Sequence, residues 1–262
     1  PIRYNENSYK IWFDRLEVSL LTLEGRIKLP IKIPEFYRGY TTWKPASADL
    51  VRDKKNRWWL YVVVSKDMPT SEPTEEVVGI DLGINQPVTD SSGNFYGPQH
   101  WKVVEDRIFE HRRRLQSKGT KSAKRRLKKL SGRQKRFRRD CDHVLSKQLV
   151  KSVEPGATLV FEKLTGIRDR AKQRKEQRRR FHGWSFAQLQ TFTEYKAEAR
   201  SIKVVYIDPR YTSQMCSECQ HTEKKNRVSQ ALFSCLSCGY TTNADYNAAR
   251  NIRAKYLKGL SV

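Results

Sequence analysis

The sequence has 262 residues, 37% of them hydrophobic and 11% aromatic, enough to bury a core in one large domain or in two or three smaller ones. Lys and Arg number 52 against 28 Asp and Glu, and a formal charge of +24 points to a polyanionic partner. No run of 18 apolar residues and no signal-peptide pattern occurs, and the basic stretches are too polar for a membrane-surface helix, so no membrane partner is expected and the chain reads as intracellular.

The first 70 residues read as an all-β module. Stretches 9–13, 16–23, 27–33 and 58–64 are short, rich in β-branched and aromatic residues, and bounded by Gly, Pro, Asn or charged turns. A small barrel or sandwich is the economical arrangement. Its charge is nearly balanced, 13 basic against 10 acidic residues over 1–75, so the excess lies downstream: 17 against 4 in 102–140 and 8 against 2 in 168–180.

A polar link over 71–76 leads to a different pattern. Val77, Val78 and Ile80 predict a short buried strand that ends at Asp81, with Gly83 in the turn beyond it. Segments 88–89 and 94–96 flank Ser91-Ser92-Gly93, a hairpin signal. Two helices are expected over 102–118 and 121–153. In the second, Phe137, Cys141, Val144, Leu145 and Leu149 share a face at helical spacing, which makes Cys141 a core residue. A second buried strand over 157–161 ends at Glu162. Residues 165–183 are charged and lack apolar periodicity, so they read as a mobile loop. A helix over 185–199 has Ser185 as its cap, a strand over 204–207 stops at Asp208-Pro209, and a helix over 243–257 follows the cysteines. Strands interleaved with helices make this part α/β.

Cys216-x2-Cys219 and Cys235-x2-Cys238, 15 residues apart, match a four-cysteine zinc ribbon. Each pair sits on a tight knuckle that aims both sulfurs at one metal, and four protein ligands leave no open position, so one zinc ion would be structural. Gly239 suits the turn after the second knuckle. His221 could compete as a ligand, but a surface position is the simpler reading.

Asp81 and Glu162 both end buried strands, where the sites of open α/β sheets form. Converging carboxylates there can hold a pair of Mg²⁺ ions for phosphodiester hydrolysis. For the third member, Asp208 at a strand end and Asp245 at the start of the last helix are equal candidates.

The segments Val78-Gly79-Ile80-Asp81-Leu82-Gly83-Ile84-Asn85, Val160-Phe161-Glu162-Lys163-Leu164, Tyr211 to Cys219, Cys235-Leu236-Ser237-Cys238-Gly239 and Asp245-Tyr246-Asn247-Ala248-Ala249-Arg250-Asn251-Ile252 occur in that order. Together they closely resemble the TnpB proteins of bacterial and archaeal insertion sequences, relatives of the type V CRISPR effectors. The resemblance runs from about residue 10 to 257, specific in the nuclease and ribbon segments and weaker in the first 70 residues. It implies an α/β RuvC/RNase H-like domain with an N-terminal all-β barrel, wedge-like, and an inserted zinc ribbon. The implied boundaries are 1–74 for the barrel, 75–210 for the nuclease domain, 211–240 for the ribbon and 241–262 for a C-terminal nuclease segment. It implies an Asp–Glu–Asp site of Asp81, Glu162 and Asp245, an active-site lid after Glu162, and an RNA-guided, Mg²⁺-dependent DNA endonuclease of a transposable element. Guide RNA and target DNA are the implied partners, and the implied location is the prokaryotic cytoplasm, nucleoid-associated when bound to DNA. Alternatives within the resemblance are a nuclease-inactive RNA-guided repressor and a compact type V effector. The family also carries an N-terminal segment, with part of the wedge and a helical recognition domain, that these residues do not include, and the chain opens on Pro1 rather than Met.

The one-signed basic runs read as phosphate contacts. The candidates are Arg125, Arg126, Lys128, Lys129, Arg133, Arg136 and Arg139, with Arg174, Arg178 and Arg179 in the segment after Glu162. Sequence readout would be left to guide pairing. Tyr211 and Trp184 could each stack on a base or pack in the core.

Overall fold

The computed structural model describes residues 1–68, 70–98, 100–170 and 175–259, with backbone alone at 170 and 175–177. The chain divides into two compact units, Pro1–Met68 and Pro69–Val262.

Six strands build the first unit: β1 (Ile2–Tyr4), β2 (Tyr9–Trp12), β3 (Glu17–Thr22), β4 (Gly25–Pro30), β5 (Lys44–Arg52) and β6 (Trp58–Ser65). They form two antiparallel three-stranded sheets, β1-β5-β6 and β2-β3-β4. Tyr4, Tyr9, Val18, Leu20 and Ala48 make the shared core. Strand β5 is absent from the sequence reading because it opens on Lys-Pro-Ala-Ser, which lacks β-formers. It forms because Ala48 and Leu50 pair with Val62 and Leu60 of β6, and pairing overrides propensity. A register shift between Pro45 and Ala48 frees the Ala46 carbonyl, which accepts the buried Tyr9 hydroxyl at 3.1 Å. Strand β1, only three residues long, carries no sequence signal either.

The second unit follows in the order β7 (Val77–Leu82), β8 (Val88–Asp90), β9 (Phe95–Tyr96), α1 (His100–Lys118), α2 (Lys121–Leu130), α3 (Arg133–Lys151), β10 (Thr158–Glu162), α4 (Ile167–Arg170), α5 (Lys175–Gly183), α6 (Phe186–Glu198), β11 (Lys203–Ile207), β12 (Leu232–Ser234), β13 (Thr241–Asn243) and α7 (Ala244–Leu257). A five-stranded mixed sheet runs β11-β10-β7-β8-β9. Strands β7, β8 and β9 are an antiparallel meander, and β10 and β11 lie parallel to β7. Side chains alternate across the pleat. Val78, Ile80 and Leu82 of β7 and Leu159 and Phe161 of β10 enter a large core with Leu145 and Leu149 of α3 and Leu189 of α6. Val77 and Val160 point the other way, to Ile252 and Tyr256 of α7. The unit is therefore a mixed α/β layered structure, with α3 and α6 on one face of the sheet and α7 on the other. No helix among the described residues is long and apolar enough to cross a membrane.

Four local expectations are corrected. The helix expected over 121–153 is broken at Ser131-Gly132, because Gly132 sits at φ +77°, where a right-handed helix cannot continue. Residues 165–183, read as a loop, contain α4 and α5; their polar faces hide the helical period. Val144 is exposed, one position off the buried Cys141–Leu145–Leu149 stripe. Ser185 precedes α6 but makes no capping bond there. Its hydroxyl instead donates to Asp142 Oδ1 at 3.1 Å.

Asp142 is 5% exposed, and its Oδ2 has no partner among the described residues. Burial pushes its carboxyl up to about 6. The unfolded chain therefore ionises this group first, and stability is lost as pH rises from about 4 through 6. Asp142→Asn removes that loss. Urea unfolding of the variant should show about 1–3 kcal/mol more stability than the parent at pH 7 and almost none at pH 4; an equal margin at both pH values would refute the assignment.

Candidate active site and cysteine cluster

The pleat that sends Val78 and Ile80 into the core turns Gly79 and Asp81 toward α7. On β10 it turns Val160 and Glu162 the same way. Phe161 pairs with Ile80 in the parallel ladder, so the next step along both strands brings Glu162 beside Asp81 at the carboxyl ends. Asp245 joins them from the first turn of α7, where the Asn243 side chain caps the helix by accepting from the Asp245 and Tyr246 amides at 2.9 and 3.1 Å. Asp208, the rival third carboxylate, is engaged locally: it accepts from the Arg210 amide at 3.0 Å and pairs with the Arg210 guanidinium, although its charge still raises Glu162.

Asp81 feels both of the others. Burial pushes Asp81 well above the usual carboxylate range, and the charges of Glu162 and Asp245 push it further. Burial also raises Glu162 and Asp245. Thr89, the cross-strand partner of Asp81, is 1% exposed and its Oγ1 has no hydrogen-bond partner among the described residues. Crowded anions, Asp245 buried and Asp81 and Glu162 partly buried, beside an unanswered hydroxyl form a site that a cation would stabilise.

Nothing separates α7 from β7 at Gly79. A Cβ there would stand 2.2 Å from the Ala249 carbonyl oxygen and 2.6 Å from the Arg253 nitrogen, both backbone atoms of α7. Helix and strand thus meet backbone to backbone, one residue pair below the carboxylates.

Four residues that sequence reasoning missed complete the site. Arg227 reaches in from the cysteine module and donates to Asp245 Oδ1 at 3.1 Å and to the Gln230 carbonyl at 3.1 Å. It lowers the cost of the neighbouring anions. Lys255 of α7 does the same for Glu162 while its Nζ donates to the Asp208 and Arg210 carbonyls. Thr212 donates to Glu162 Oε1 at 2.5 Å, and Gln190 of α6 donates to the Glu162 carbonyl at 3.0 Å. No spacing signal marks any of them, because each is defined by its partner across the fold.

The sulfurs of Cys216, Cys219, Cys235 and Cys238 lie within 4.8 Å of one another, and among the described residues they are the one such ligand group. The Sγ–Sγ separations of 3.7 Å for Cys216–Cys238 and 3.5 Å for Cys219–Cys235 approach the ~3.8 Å edge of a tetrahedron with ~2.3 Å metal–sulfur bonds. The two knuckles repeat one hydrogen-bond pattern. Cys216 and Cys235 donate their amides to the His221 and Tyr240 carbonyls, and accept at their carbonyls from the amides of Gln220 and Gly239, which share a positive φ. Asn226, fully buried, ties the knuckles together. Its Nδ2 donates to the Gln214 and His221 carbonyls and its Oδ1 accepts from the Leu236 amide. His221 itself is exposed and outside the cluster.

Arg125, Arg126, Lys128 and Lys129 of α2 and Arg133, Arg136 and Arg139 of α3 are all exposed, as is Arg178. Arg179 is tied up internally: it pairs with Asp106 at 2.5 Å and lies 4.2 Å over the Phe109 ring. Arg174 lies outside the described residues. Trp184 packs between Phe181 and Phe186, whereas Tyr211 is 60% exposed at φ +66°.

A family model described as "Probable transposase" matches residues 60–168, and one described as "Cas12f1-like, TNB domain" matches residues 186–252. The chain is 34% identical to the CRISPR-associated endodeoxyribonuclease Cas12f1 of Sulfoacidibacillus thermotolerans, over 79% of this chain and 52% of that protein. It is 28% identical to the TnpB-like protein MJ0751 of Methanocaldococcus jannaschii, over 74% of each. The fold resembles that of a Cas12f1 solved as a complex with sgRNA and target DNA, with a TM-score of 0.54 and 24% identity over 79% of this chain and 55% of that one. The chain spans about half the length of the Cas12f1 relatives it matches.

The close approach at Gly79 yields a direct expectation. Gly79→Ala must push α7 off the sheet, at a cost of about 3 kcal/mol or more. Thermal unfolding should show a lowered midpoint; one indistinguishable from the parent would mean that the helix yields freely at this position.

Proposed function

We propose that this chain is a member of the TnpB family, and that its second unit is a RuvC-like, RNase H-type nuclease with an inserted zinc ribbon, working in an RNA-guided, Mg²⁺-dependent DNA endonuclease of a transposable element. The observation that carries this reading is the meeting of Asp81, Glu162 and Asp245 on one face of the sheet. The sheet supports it too: a three-stranded antiparallel meander extended by two parallel strands, with carboxylates at the strand ends, suits the RNase H type.

Asp81, Glu162 and Asp245 would hold Mg²⁺. When bound, the cations supply the Lewis acidity that phosphodiester hydrolysis requires. The fold brings the carboxylates to one place, and their mutual repulsion favours a bound cation. Arg227 presents a guanidinium beside Asp245, where it orients that carboxylate and can meet a phosphate oxygen of the strand being cut. The four cysteines would hold one structural zinc. Arg227 is carried on the same module, between the two knuckles, so the ribbon both folds around its metal and delivers a cation to the site.

The exposed basic faces of α2 and α3 would run along phosphates of guide RNA or target DNA. The first unit would serve as the wedge-like barrel that contacts the RNA scaffold and the target-adjacent DNA. A second reading keeps the same chemistry in a compact type V CRISPR effector, favoured by the 34% identity with a Cas12f1. Flanking transposon ends or a repeat array would separate the two.

Three outcomes follow. With guide RNA and Mg²⁺, Asp81→Ala should lower target cutting more than about a hundredfold, beyond the range seen for outer-shell partners of a metal, while binding to target persists; undiminished cutting would end the assignment. Arg227→Ala should reduce cutting at least about tenfold with zinc retained, since it removes a charge-assisted bond. Neutralising Arg125, Arg126, Lys128 and Lys129 together should flatten the dependence of nucleic-acid affinity on salt, by roughly one unit of log–log slope for each phosphate no longer neutralised.

A further inference from the structure

One polar stripe runs along α7. Asn247, Asn251 and Lys255 recur every fourth residue and so share a helix face. Asn247 and Asn251 are 0% and 1% exposed. All three spend their donors on the segment 208–217, which leads from β11 into the first cysteine knuckle. Lys255 takes the Asp208 and Arg210 carbonyls. Asn251 donates to the Thr212 carbonyl at 2.8 Å and the Met215 carbonyl at 2.6 Å. Asn247 donates to the Met215 carbonyl at 2.8 Å and accepts from the Ser217 amide at 3.0 Å. Buried asparagines are costly in a helix face unless bonded; both side-chain amides are spent here, while Asn251 Oδ1 has no partner among the described residues. Here they replace the apolar packing that would otherwise join helix to segment, and they fix where the segment lies along the helix.

The segment carries Thr212, 2% exposed. Its hydroxyl meets Glu162 Oε1 at 2.5 Å, with the Pro209 carbonyl at 2.9 Å alongside. A Glu side chain has three rotatable bonds, and β10 fixes none of them. The hydroxyl at its tip does. We propose that Thr212, placed by Asn251, is a positioning residue for Glu162, so that α7 sets both Asp245, which it carries, and Glu162, which it reaches through the 208–217 segment. The inference rests on the carboxylate reading above, and concerns how the second carboxylate is aimed rather than whether it binds metal.

The test uses the full chain without nucleic acid, with Mn²⁺ as the probe and free Mn²⁺ read by its electron paramagnetic resonance. Thr212→Val keeps the shape and removes the donor. It should weaken Mn²⁺ binding about tenfold, the loss of one hydrogen bond to a charged group, while zinc stays at one per chain and the melting temperature shifts by no more than a few degrees. Thr212→Ser, which restores the donor, should return affinity to within about twofold. Asn251→Ser should weaken binding in the same sense, and combined with Thr212→Val should add nothing, because both act through one contact. Wild-type affinity in Thr212→Val, no rescue by Thr212→Ser, or full additivity in the double variant would each overturn the proposal; the first two still decide it should Asn251→Ser lose its fold. Asp81→Ala separates the two levels. If it binds Mn²⁺ as the parent does, the carboxylate reading itself fails. If it loses Mn²⁺ while Thr212→Val does not, only the positioning role fails.

Discussion

The contact between α7 and β7 at Gly79 is the constraint on which the second unit turns. Three observations hang on it. The helix sits close enough for its first turn to bring Asp245 to the end of β7. Its apolar face, with Ile252 and Tyr256, closes the side of the sheet that α3 and α6 leave open. Its polar stripe catches the segment that enters the cysteine module. A residue with any side chain at 79 would shift all three together, because the obstructing atoms are backbone and have nowhere to rotate.

The electrostatics of the site follow from that closeness. Burial and like charge raise Asp81, Arg227 offsets part of that cost, and Lys255 and Arg227 offset part of the cost at Glu162. Both cations are also engaged with backbone carbonyls, so their heads are held in place before anything binds. The arrangement is one of fixed charges around a polar floor, rather than of mobile side chains drawn in by a ligand.

What the sequence made legible was whatever is local. Cys216-x2-Cys219 and Cys235-x2-Cys238 announce a metal cluster because the knuckle is a four-residue object. Strands β7 and β10 announce themselves because a strand buried on both faces must be apolar nearly throughout, and the acidic residue that ends such a run stands out. Tertiary objects stayed hidden. Strand β5 depends on β6. Arg227 is one of many arginines until Asp245 is beside it, and Thr212 is an ordinary loop threonine until Glu162 arrives. Asn247 and Asn251 lie inside the motif that carries the family resemblance, but a polar residue at helical spacing says nothing of the carbonyls it will meet. Between Asp208 and Asp245 local reading could not choose; the first finds an arginine two residues away, and the second finds the other carboxylates.

Chain order gives the contact at Gly79 a temporal meaning. The sheet is laid down strand by strand from residue 77 to residue 207, and the cysteine module comes next. Only then does the ribosome make the helix that carries Asp245 and reaches Glu162. A nascent chain can therefore hold all five strands of the sheet and all four clustered cysteines while still lacking a complete carboxylate set. Asp245 is the last of the three in chain order, so the carboxylate set closes only once α7 has been made.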